Sequence, residues 1–330
     1  MGSKHRLLPW IHGVLSDLHF DTALDAFSGS GCIAYLLKTM GKSVTTNDFL
    51  RFAHHIANGL TANPGVQLSR SDLEGLLQNT PKADRFIERT FDGIFFTRED
   101  LRFLDNTWAN LGRIEDPYKR SLVISAMSRA AIKKQPRGVF TVSKAQARRY
   151  DDGRRDTRLS LRDHFLESAE LFNSLVYDDG RTHAALCGDV FSAPTEADLV
   201  YLDPPYVPRS DDNCYIKRYH FIEGLACYWQ GLDILPDSKV KKIRKRFTPF
   251  SYRRTASEAF DALFARFRKS TLVLSYSSNG YPDLQELVRL MKRYKRRVTV
   301  HHHHHRYHFG THDAVRQERA VVVEYLLIGD

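Results

Sequence analysis

The chain has few of the features that mark secreted, metal-stabilised and membrane proteins. Its 330 residues include only four cysteines, with no CxxC pair and no His/Cys spacing typical of metal ligands. The sequence therefore indicates neither a disulfide framework nor a metal site, and a reducing cytoplasm is the expected compartment. It contains no apolar run long enough to span a bilayer, and its basic N-terminal stretch lacks a signal-peptide core.

Acidic residues are fewer than basic ones. Lys and Arg number 49 against 39 Asp and Glu, which gives a formal net charge of +10 at pH 7, and the basic residues are clustered. Clustered positive charge favours a polyanionic partner, with nucleic acid the first candidate and an anionic membrane surface the second. Charge alone is about as compatible with an ordinary basic protein.

Strand and helix patterns alternate near both ends of the chain. Residues 24–60 follow the order strand, glycine turn, helix, strand, helix, which is typical of an α/β domain with a parallel sheet. Strand-like segments resume at "HAALCGD" and continue to "RAVVVEYLLIG", whereas the intervening region is polar and mostly helical in pattern. We therefore predict a sheet domain formed by residues 1–60 and 183–330, which includes a basic segment at about 207–254, and a helical insert at 61–182.

A glycine-rich turn follows the first predicted strand. In the stretch "DAFSGSG", residues 25–31, the glycines would let the backbone approach a ligand, and the N–H groups of the next helix would face that ligand. Gly29, Gly31 and Ala34 also satisfy the GxGxxG/A dinucleotide spacing, and Asp48 ends the next strand as a ribose-binding acid would. From this motif alone a nicotinamide or flavin enzyme, an S-adenosylmethionine enzyme and a simple tight turn all stay open.

The apolar strand "LVYL" ends abruptly in Asp203, Pro204, Pro205 and Tyr206. Ligands of open α/β sheets bind at the carboxyl ends of strands, so we expect this tetrad in the same cleft as the glycine turn. Its chemistry suits methylation of an amino group on an aromatic base, because Asp203 and the Pro204 carbonyl would each accept an amino hydrogen. Tyr206 would stack on the extruded base. The structural alternative is a turn that ends the strand.

Together the motifs resemble those of the Dam-like, α-class adenine-N6 DNA methyltransferases. Residues 27–31 resemble the FxGxG loop of that family and residues 203–206 its DPPY motif, with residues 61–182 in the place of the target-recognition region. The resemblance implies a Rossmann-like methyltransferase sheet of seven strands, mixed but mainly parallel, with a mostly helical insert. It also implies S-adenosyl-L-methionine as cofactor, a flipped-out adenine of double-stranded DNA as substrate, and a cognate restriction endonuclease as a further candidate partner.

The same resemblance assigns residues to the cofactor. Lys4 and Trp10 resemble a segment that closes over the cofactor, Asp48 is expected on its ribose, and Asp189 on its adenine amino group. A helix cap at Asp48 and a turn at Asp189 are the structural alternatives. The predicted cofactor-binding residues are Lys4, Trp10, Asp25, Phe27, Ser28, Gly29, Gly31, Asp48 and Asp189.

Two basic segments after the tetrad are candidate DNA contacts. The first interleaves rings with positive charge, which suits unstacked bases and phosphates, and the second is dense in lysine and arginine, which suits the DNA backbone. The predicted DNA-binding residues are Tyr215, Lys217, Arg218 and Tyr219 in the first segment, and Lys241, Lys242 and Lys245 in the second. For the histidine run at 301–305 we predict a solvated or DNA-adjacent loop rather than a metal site.

Competing interpretations differ in substrate or in class. The same reaction on cytosine N4, an RNA base or a glutamine amide is one; a dinucleotide-dependent oxidoreductase and a non-catalytic DNA-binding regulator are two others. An Asp at the first position of the tetrad, the basic segments and the order of the motifs favour adenine in DNA. Hydride-transfer residues are not recognisable, and a disused site has no physical need for an intact tetrad.

Overall fold

The protein is described here by a computed structural model that covers residues 4–147, 153–205, 207–208, 215–306 and 321–330. The chain forms two compact units. The first comprises Met1–Ala57, Arg181–Cys214 and Phe247–Asp330, and the second comprises Asn58–Gly180 and Tyr215–Arg246. We call them the sheet unit and the helical unit.

The sheet unit is built on seven strands in the order β3-β2-β1-β4-β6-β9-β8. The first five of these run parallel, and β9 runs antiparallel to both β6 and β8. The predicted mixed, mainly parallel seven-stranded sheet is therefore confirmed. The strands are β1 (Thr22–Asp25), β2 (Ser43–Asp48), β3 (Ala184–Cys187), β4 (Leu199–Leu202), β6 (Thr271–Ser277), β8 (Val298–Arg306) and β9 (Val321–Gly329), with β5 (Val207–Pro208) and β7 (Gly280–Tyr281) forming a separate antiparallel pair.

Helices cover both faces of this sheet because both faces of its central strands are apolar. Side chains alternate along β4, so Val200 and Leu202 pack into one buried cluster, whereas Leu199 and Tyr201 pack into another. The first cluster includes side chains of α12 and α13, and the second includes side chains of α1 and α2. These helices are α1 (Leu8–Ser16), α2 (Cys32–Thr39), α12 (Arg253–Arg266) and α13 (Leu284–Met291).

The helical unit contains α4 to α11 and shares α3 with the sheet unit at its boundary. An aromatic cluster lies in its interior, where the Phe221 ring centroid is 5.0 Å from that of Phe91, 5.1 Å from that of Phe140 and 5.3 Å from that of Trp229. The helices are α3 (Arg51–Leu60), α4 (Arg70–Leu76), α5 (Phe86–Phe91), α6 (Arg98–Leu111), α7 (Pro117–Lys134), α8 (Lys144–Ala147), α9 (Arg155–Arg158), α10 (Leu161–Leu175) and α11 (Tyr215–Leu225).

One part of the basic segment groups differently from the sequence-based division. That division kept residues 207–254 with the sheet, whereas Tyr215–Arg246 form part of the helical unit. The physical reason is the aromatic cluster, because Phe221 of α11 and the following Trp229 are buried against rings from the earlier helices.

The histidine run does not form the predicted loop. His301–His305 continue β8, and their backbone pairs in register with β9 from His301↔Leu326 to His305↔Val322. Backbone pairing with a long neighbouring strand outweighs the modest strand propensity of histidine here. The exposed side chains of His302 and His304 share one face, and His303 on the other face stacks on Trp10 at a centroid distance of 5.2 Å.

No helix within the described ranges has the combination of length and apolar composition that crossing a membrane requires. The same ranges contain no group of three or more His, Cys, Asp or Glu side chains arranged to hold a metal ion.

Candidate active site

The glycine turn connects β1 to α2 and requires glycine at two positions. Gly29 has φ +49° and Gly31 has φ +74°, both in the left-handed region that side chains disfavour. Gly31 is the N-cap residue of α2, so the turn ends where the first N–H groups of the helix are exposed to a ligand. The Ser28 N–H donates to the Asn47 carbonyl at 3.0 Å, which ties the turn to the end of β2.

Asp48, at the end of β2, accepts a backbone hydrogen bond that holds the glycine turn in place. Its Oδ2 accepts the Gly29 N–H at 2.8 Å, and its Oδ1 accepts the Leu50 N–H at 2.9 Å. Burial raises the pKa of Asp48 to about 6, although three backbone donors, those of Leu50, Gly29 and Phe49, oppose that rise. The structure thus shows Asp48 holding backbone N–H groups of the glycine turn and of the residue before α3, and its contact with a cofactor ribose stays a prediction.

Asp25, the last residue of β1, is a buried acid with an unused oxygen. The side chain is 1% exposed, and its Oδ2 has no hydrogen-bond partner among the described residues. Burial, followed by the nearby charges of Asp203 and Asp48, raises its pKa to about 8. The Ser28 hydroxyl is buried without a partner as well. A buried acceptor of this kind next to a glycine turn fits a ligand that carries a positive charge.

Asp203 lies immediately after β4 and pairs with Lys4. The Lys4 Nζ is 3.5 Å from Asp203 Oδ1 and 3.3 Å from Glu324 Oε2 of β9. Burial raises the pKa of Asp203, Glu324 adds to that rise, and Lys4 opposes it. Lys4 was predicted to serve the cofactor, and the structure brings its ammonium group to the acid of the tetrad.

The Lys4–Asp203 pair is not closed off from solvent. The Asp203 side chain is 22% exposed, whereas that of Glu324 is 1% exposed. The inner ion pair with Glu324 therefore holds Lys4, while Asp203 keeps surface that a substrate can reach.

The remainder of the tetrad is partly described. Pro204 is buried and Pro205 is half-buried, which is consistent with a rigid exit from β4. Tyr206, the predicted stacking residue, lies outside the described residues. The chain continues as β5, whose Val207 pairs with Tyr281 of β7.

The other predicted cofactor residues have defined surroundings. Phe27 packs edge-on against Phe250, with ring centroids 5.6 Å apart. Asp189 is exposed, and its Oδ1 accepts the Phe191 N–H at 2.9 Å, which caps the 3-10 turn Val190–Ser192. Trp10 stacks on His303 as described above. These contacts explain how the three side chains are positioned, and their roles towards a cofactor stay predictions.

The predicted DNA-binding residues all belong to the helical unit and differ in exposure. In α11 Tyr219 is buried and stacks on Tyr215 at 6.3 Å, and burial raises the pKa of Tyr219 to about 12. Lys217 and Arg218 of the same helix are half-buried. In the second segment Lys245 is exposed, whereas the remaining two lysines, Lys241 and Lys242, are half-buried.

Sequence reasoning missed two residues of the site. Glu324 carries a usable signal, because it is the single charged residue in the apolar stretch "VVVEYLLIG" and a buried acid needs a partner. Phe250, which packs under Phe27, carries no such signal, because an aromatic residue in a polar segment does not reveal its neighbour.

Comparison with known proteins adds family membership to this geometry. The profile of the D12 class N6 adenine-specific DNA methyltransferases matches residues 1–228. Over 314 residues the chain is 30% identical to the Type II methyltransferase M2.HphI of Haemophilus parahaemolyticus, which covers 91% of this chain and 88% of that protein. It is 22% identical to the Type II methyltransferase M.NlaIII of Neisseria lactamica, covering 89% and 87% of the two chains.

Some relatives are longer. The chain is 22% identical to the Type II methyltransferase M.FokI of Planomicrobium okeanokoites, of which it spans 46%. The family profile covers the glycine turn, the inserted helices and the Asp-Pro-Pro-Tyr tetrad in a single match. The chain therefore belongs to the D12 class N6 adenine-specific DNA methyltransferases.

Proposed function

We propose that this protein transfers a methyl group from S-adenosyl-L-methionine to the N6 amine of a flipped-out adenine at specific sites in double-stranded DNA. The observation that carries the proposal is the position of Asp203. It ends β4 next to β1, is paired with Lys4, and is close enough to Asp25 of the glycine turn to raise the pKa of that acid. An acid that would accept hydrogen bonds from an amine and a turn that would bind the cofactor thus lie together at the carboxyl ends of two neighbouring strands.

The residues of the glycine turn fit the proposed cofactor. The unused Asp25 oxygen suits its ammonium group, and the backbone at Gly29 and Gly31 allows close approach. When bound, S-adenosyl-L-methionine supplies a methyl group on a positively charged sulfur. Phe27, Trp10 and Asp189 complete the set that we propose for its adenosine part.

The tetrad would prepare the amine for attack. An exocyclic amine on adenine is a weak nucleophile because its lone pair is delocalised into the ring. Asp203 and the Pro204 carbonyl would each accept one amino hydrogen, which favours the tetrahedral nitrogen that attacks. Lys4 favours the ionised form of Asp203 that can accept, and Glu324 holds Lys4 in place. Tyr206 would stack on the extruded base.

DNA would be held by residues of the helical unit. We propose that Tyr215, Lys217, Arg218, Lys241 and Lys245 take part in these contacts together with Tyr219 and Lys242, and that the inserted helices at 61–182 select the target sequence. The net charge of +10 supports a polyanionic partner. The names of the relatives as Type II methyltransferases support a cognate restriction endonuclease as a further partner, and a DNA substrate supports action in the cytoplasm.

One experiment tests the reaction and the base together. The protein is incubated with unmethylated genomic DNA and methyl-labelled S-adenosyl-L-methionine, and the DNA is digested to nucleosides for mass spectrometry. We expect label in N6-methyladenine, and mapping at single-nucleotide resolution should place it in one short sequence. Label in N4-methylcytosine, or none in DNA, would reject the proposal.

A further inference from the structure

Two aromatic rings stand exposed on the sheet unit. Phe247 is 63% exposed, more than any other large apolar side chain in the described ranges, and Tyr252 is 39% exposed. Their rings are stacked, with centroids 5.5 Å apart and an interplanar angle of 13°. Two stacked rings left in contact with solvent lose the free energy that burying them would provide. Such exposure therefore indicates a binding partner.

The ring pair is carried by a packed turn. Between the two rings lies the 3-10 turn Pro249–Ser251, and its Phe250 is buried, edge-on to Phe27 and Phe260. The Thr255 hydroxyl donates to the Pro249 carbonyl at 2.8 Å. The turn is therefore anchored on the core from beneath, and the exposed rings form a defined surface.

This surface adjoins both parts of the candidate active site. Phe250 packs on Phe27 of the glycine turn. Arg253, which follows Tyr252, places its guanidinium 4.8 Å from the ring centroid of Tyr281. Tyr281 in turn pairs with Val207, four residues beyond Asp203.

Positively charged residues flank the two rings in the sequence. Arg253 and Arg254, which follow Tyr252 in the sequence, are exposed. The basic stretch "KKIRKR" at 241–246 immediately precedes Phe247. Aromatic faces flanked by cations are the chemistry that holds single-stranded nucleic acid, because bases stack on the rings and phosphates pair with the cations. Charge complementarity thus favours DNA over an apolar protein surface.

We propose that Phe247 and Tyr252 form a stacking platform for a nucleobase that has left the double-helical stack, with Arg253 and Arg254 on the adjoining phosphates. The inference rests on the proposed function for its partner, DNA, and adds a base contact that lies outside the predicted DNA-binding residues. It also differs from them in kind, because a stacking contact depends on the base and a phosphate contact does not.

The test compares two oligonucleotides of equal length and charge, one of thymidines and one with an abasic backbone. Wild type should bind the thymidine strand more tightly. Phe247→Ala should weaken that binding by roughly tenfold and leave binding of the abasic strand unchanged, whereas Phe247→Trp should retain the preference. Leu186→Ala, a change of an exposed apolar residue on β3, is the matched control and should alter neither affinity.

The salt dependence of binding distinguishes the contribution of the two rings from that of the two arginines. Phe247→Ala should leave the slope of log affinity against log salt unchanged, and Arg254→Gln should reduce it by about 0.7, the value for one phosphate contact on a single strand. Equal wild-type affinity for the two strands, or loss of both affinities in Phe247→Ala, would overturn the platform. A wild-type oligomer that dissociates in Phe247→Ala would also overturn it, by identifying the rings as a protein interface.

Methyl transfer is measured separately with saturating duplex DNA, so the two proposals fail in different ways. Base-dependent binding without adenine methylation would reject the proposed reaction and keep the platform. Adenine methylation without base-dependent binding would reject the platform and keep the proposed reaction.

Discussion

Several carboxylic acids lie close together around Lys4 and the glycine turn, and their pKa values differ from the ordinary ones. Asp25 and Asp48 have pKa values raised to about 8 and about 6, and Asp203 is also raised. In each case burial is the largest cause, and in Asp25 the neighbouring acids add to it. Carboxyl groups that burial keeps partly protonated can ionise when a cation binds beside them. The site is therefore suited to a cationic ligand.

Asp25 leads to a prediction about pH. Its pKa is about 8 in the folded protein against an ordinary value of 3.8, so below pH 8 the acid is mostly neutral. Affinity for S-adenosyl-L-methionine should therefore rise as pH increases from about 6 to 7.5, below the range near pH 8 in which an α-amino group loses its own proton, and Asp25→Asn should weaken binding and remove that rise. Titration calorimetry across this range measures it. A wild-type affinity that is flat or falls with pH would contradict the assignment.

The same shift has a consequence for stability. Between about pH 4 and 8 the unfolded chain has lost the Asp25 proton and the folded protein has kept it, so this acid lowers stability as pH rises through that window. Asp25→Asn should thus raise the thermal midpoint more at pH 8 than at pH 4, by about 2–4 °C for each kcal/mol regained. An equal shift at the two pH values would indicate another cause.

Lys4 and Glu324 should be coupled energetically. Lys4→Met leaves Glu324 buried without this partner, which should lower the free energy of unfolding by roughly 3 kcal/mol. Adding Glu324→Gln should recover part of that loss, because the buried charge is then removed. Urea unfolding of the four proteins gives the coupling energy, expected to be about 1 kcal/mol or more. Strictly additive effects would show that the ion pair contributes little.

The residues of the site were predictable where they sit in a local motif. The glycine turn and the Asp203 tetrad each combine a strand end with turn-forming residues, and both motifs were found from the sequence. The partner of Lys4 was not, because Asp203 and Glu324 are remote from it in the chain and meet it only through the order of the strands. The preference of Asp25 for the neutral form likewise depends on burial that a local pattern does not reveal.

At the level of strands and helices, prediction succeeded where burial and propensity agree. Each of the seven strands of the main sheet was recognised, because each contains apolar or β-branched residues and most are bounded by turn residues. β8 was recognised but ended too early, since its histidines pair through backbone groups that carry no side-chain signal. The grouping of α11 with the inserted helices was missed for a similar reason, as it depends on which rings meet Phe221.

The turn between β1 and α2 gives a prediction with a close control. Gly31→Ala and Gly41→Ala both place a side chain at a positive φ, +74° and +71°, so each should cost about 1–2 kcal/mol of stability. At Gly31 the added Cβ also lies 3.2 Å from Ile56 Cγ2, whereas at Gly41 it meets nothing within 4 Å. Gly31→Ala should therefore weaken cofactor binding by roughly tenfold, equivalent to 1.4 kcal/mol.

Gly41→Ala should bind the cofactor as wild type does, because it shares the backbone strain and lies outside the proposed cofactor turn. Thermal unfolding checks the shared strain, and calorimetry checks the difference in affinity. Equal loss of affinity in both variants would mean that general destabilisation, and not the turn, is being measured.

Across the whole chain, charge is the property that should govern affinity for DNA. Each lysine that contacts a phosphate adds about 0.9 to the slope of log affinity against log salt. Lys241→Gln, Lys242→Gln and Lys245→Gln should each lower the slope by about that amount, with little change in sequence preference. Lys292→Gln, at the exposed end of α13, is the control. Unchanged slopes in all three variants would remove this segment from the DNA contacts.

A single-turnover rate of methyl transfer to adenine N6, measured at saturating DNA and S-adenosyl-L-methionine, decides whether Asp203 acts on the amine. We predict that Asp203→Asn, which keeps the shape of the side chain and removes its charge, slows this step by about 100-fold or more. A rate in Asp203→Asn equal to that of wild type would contradict the role assigned to this acid.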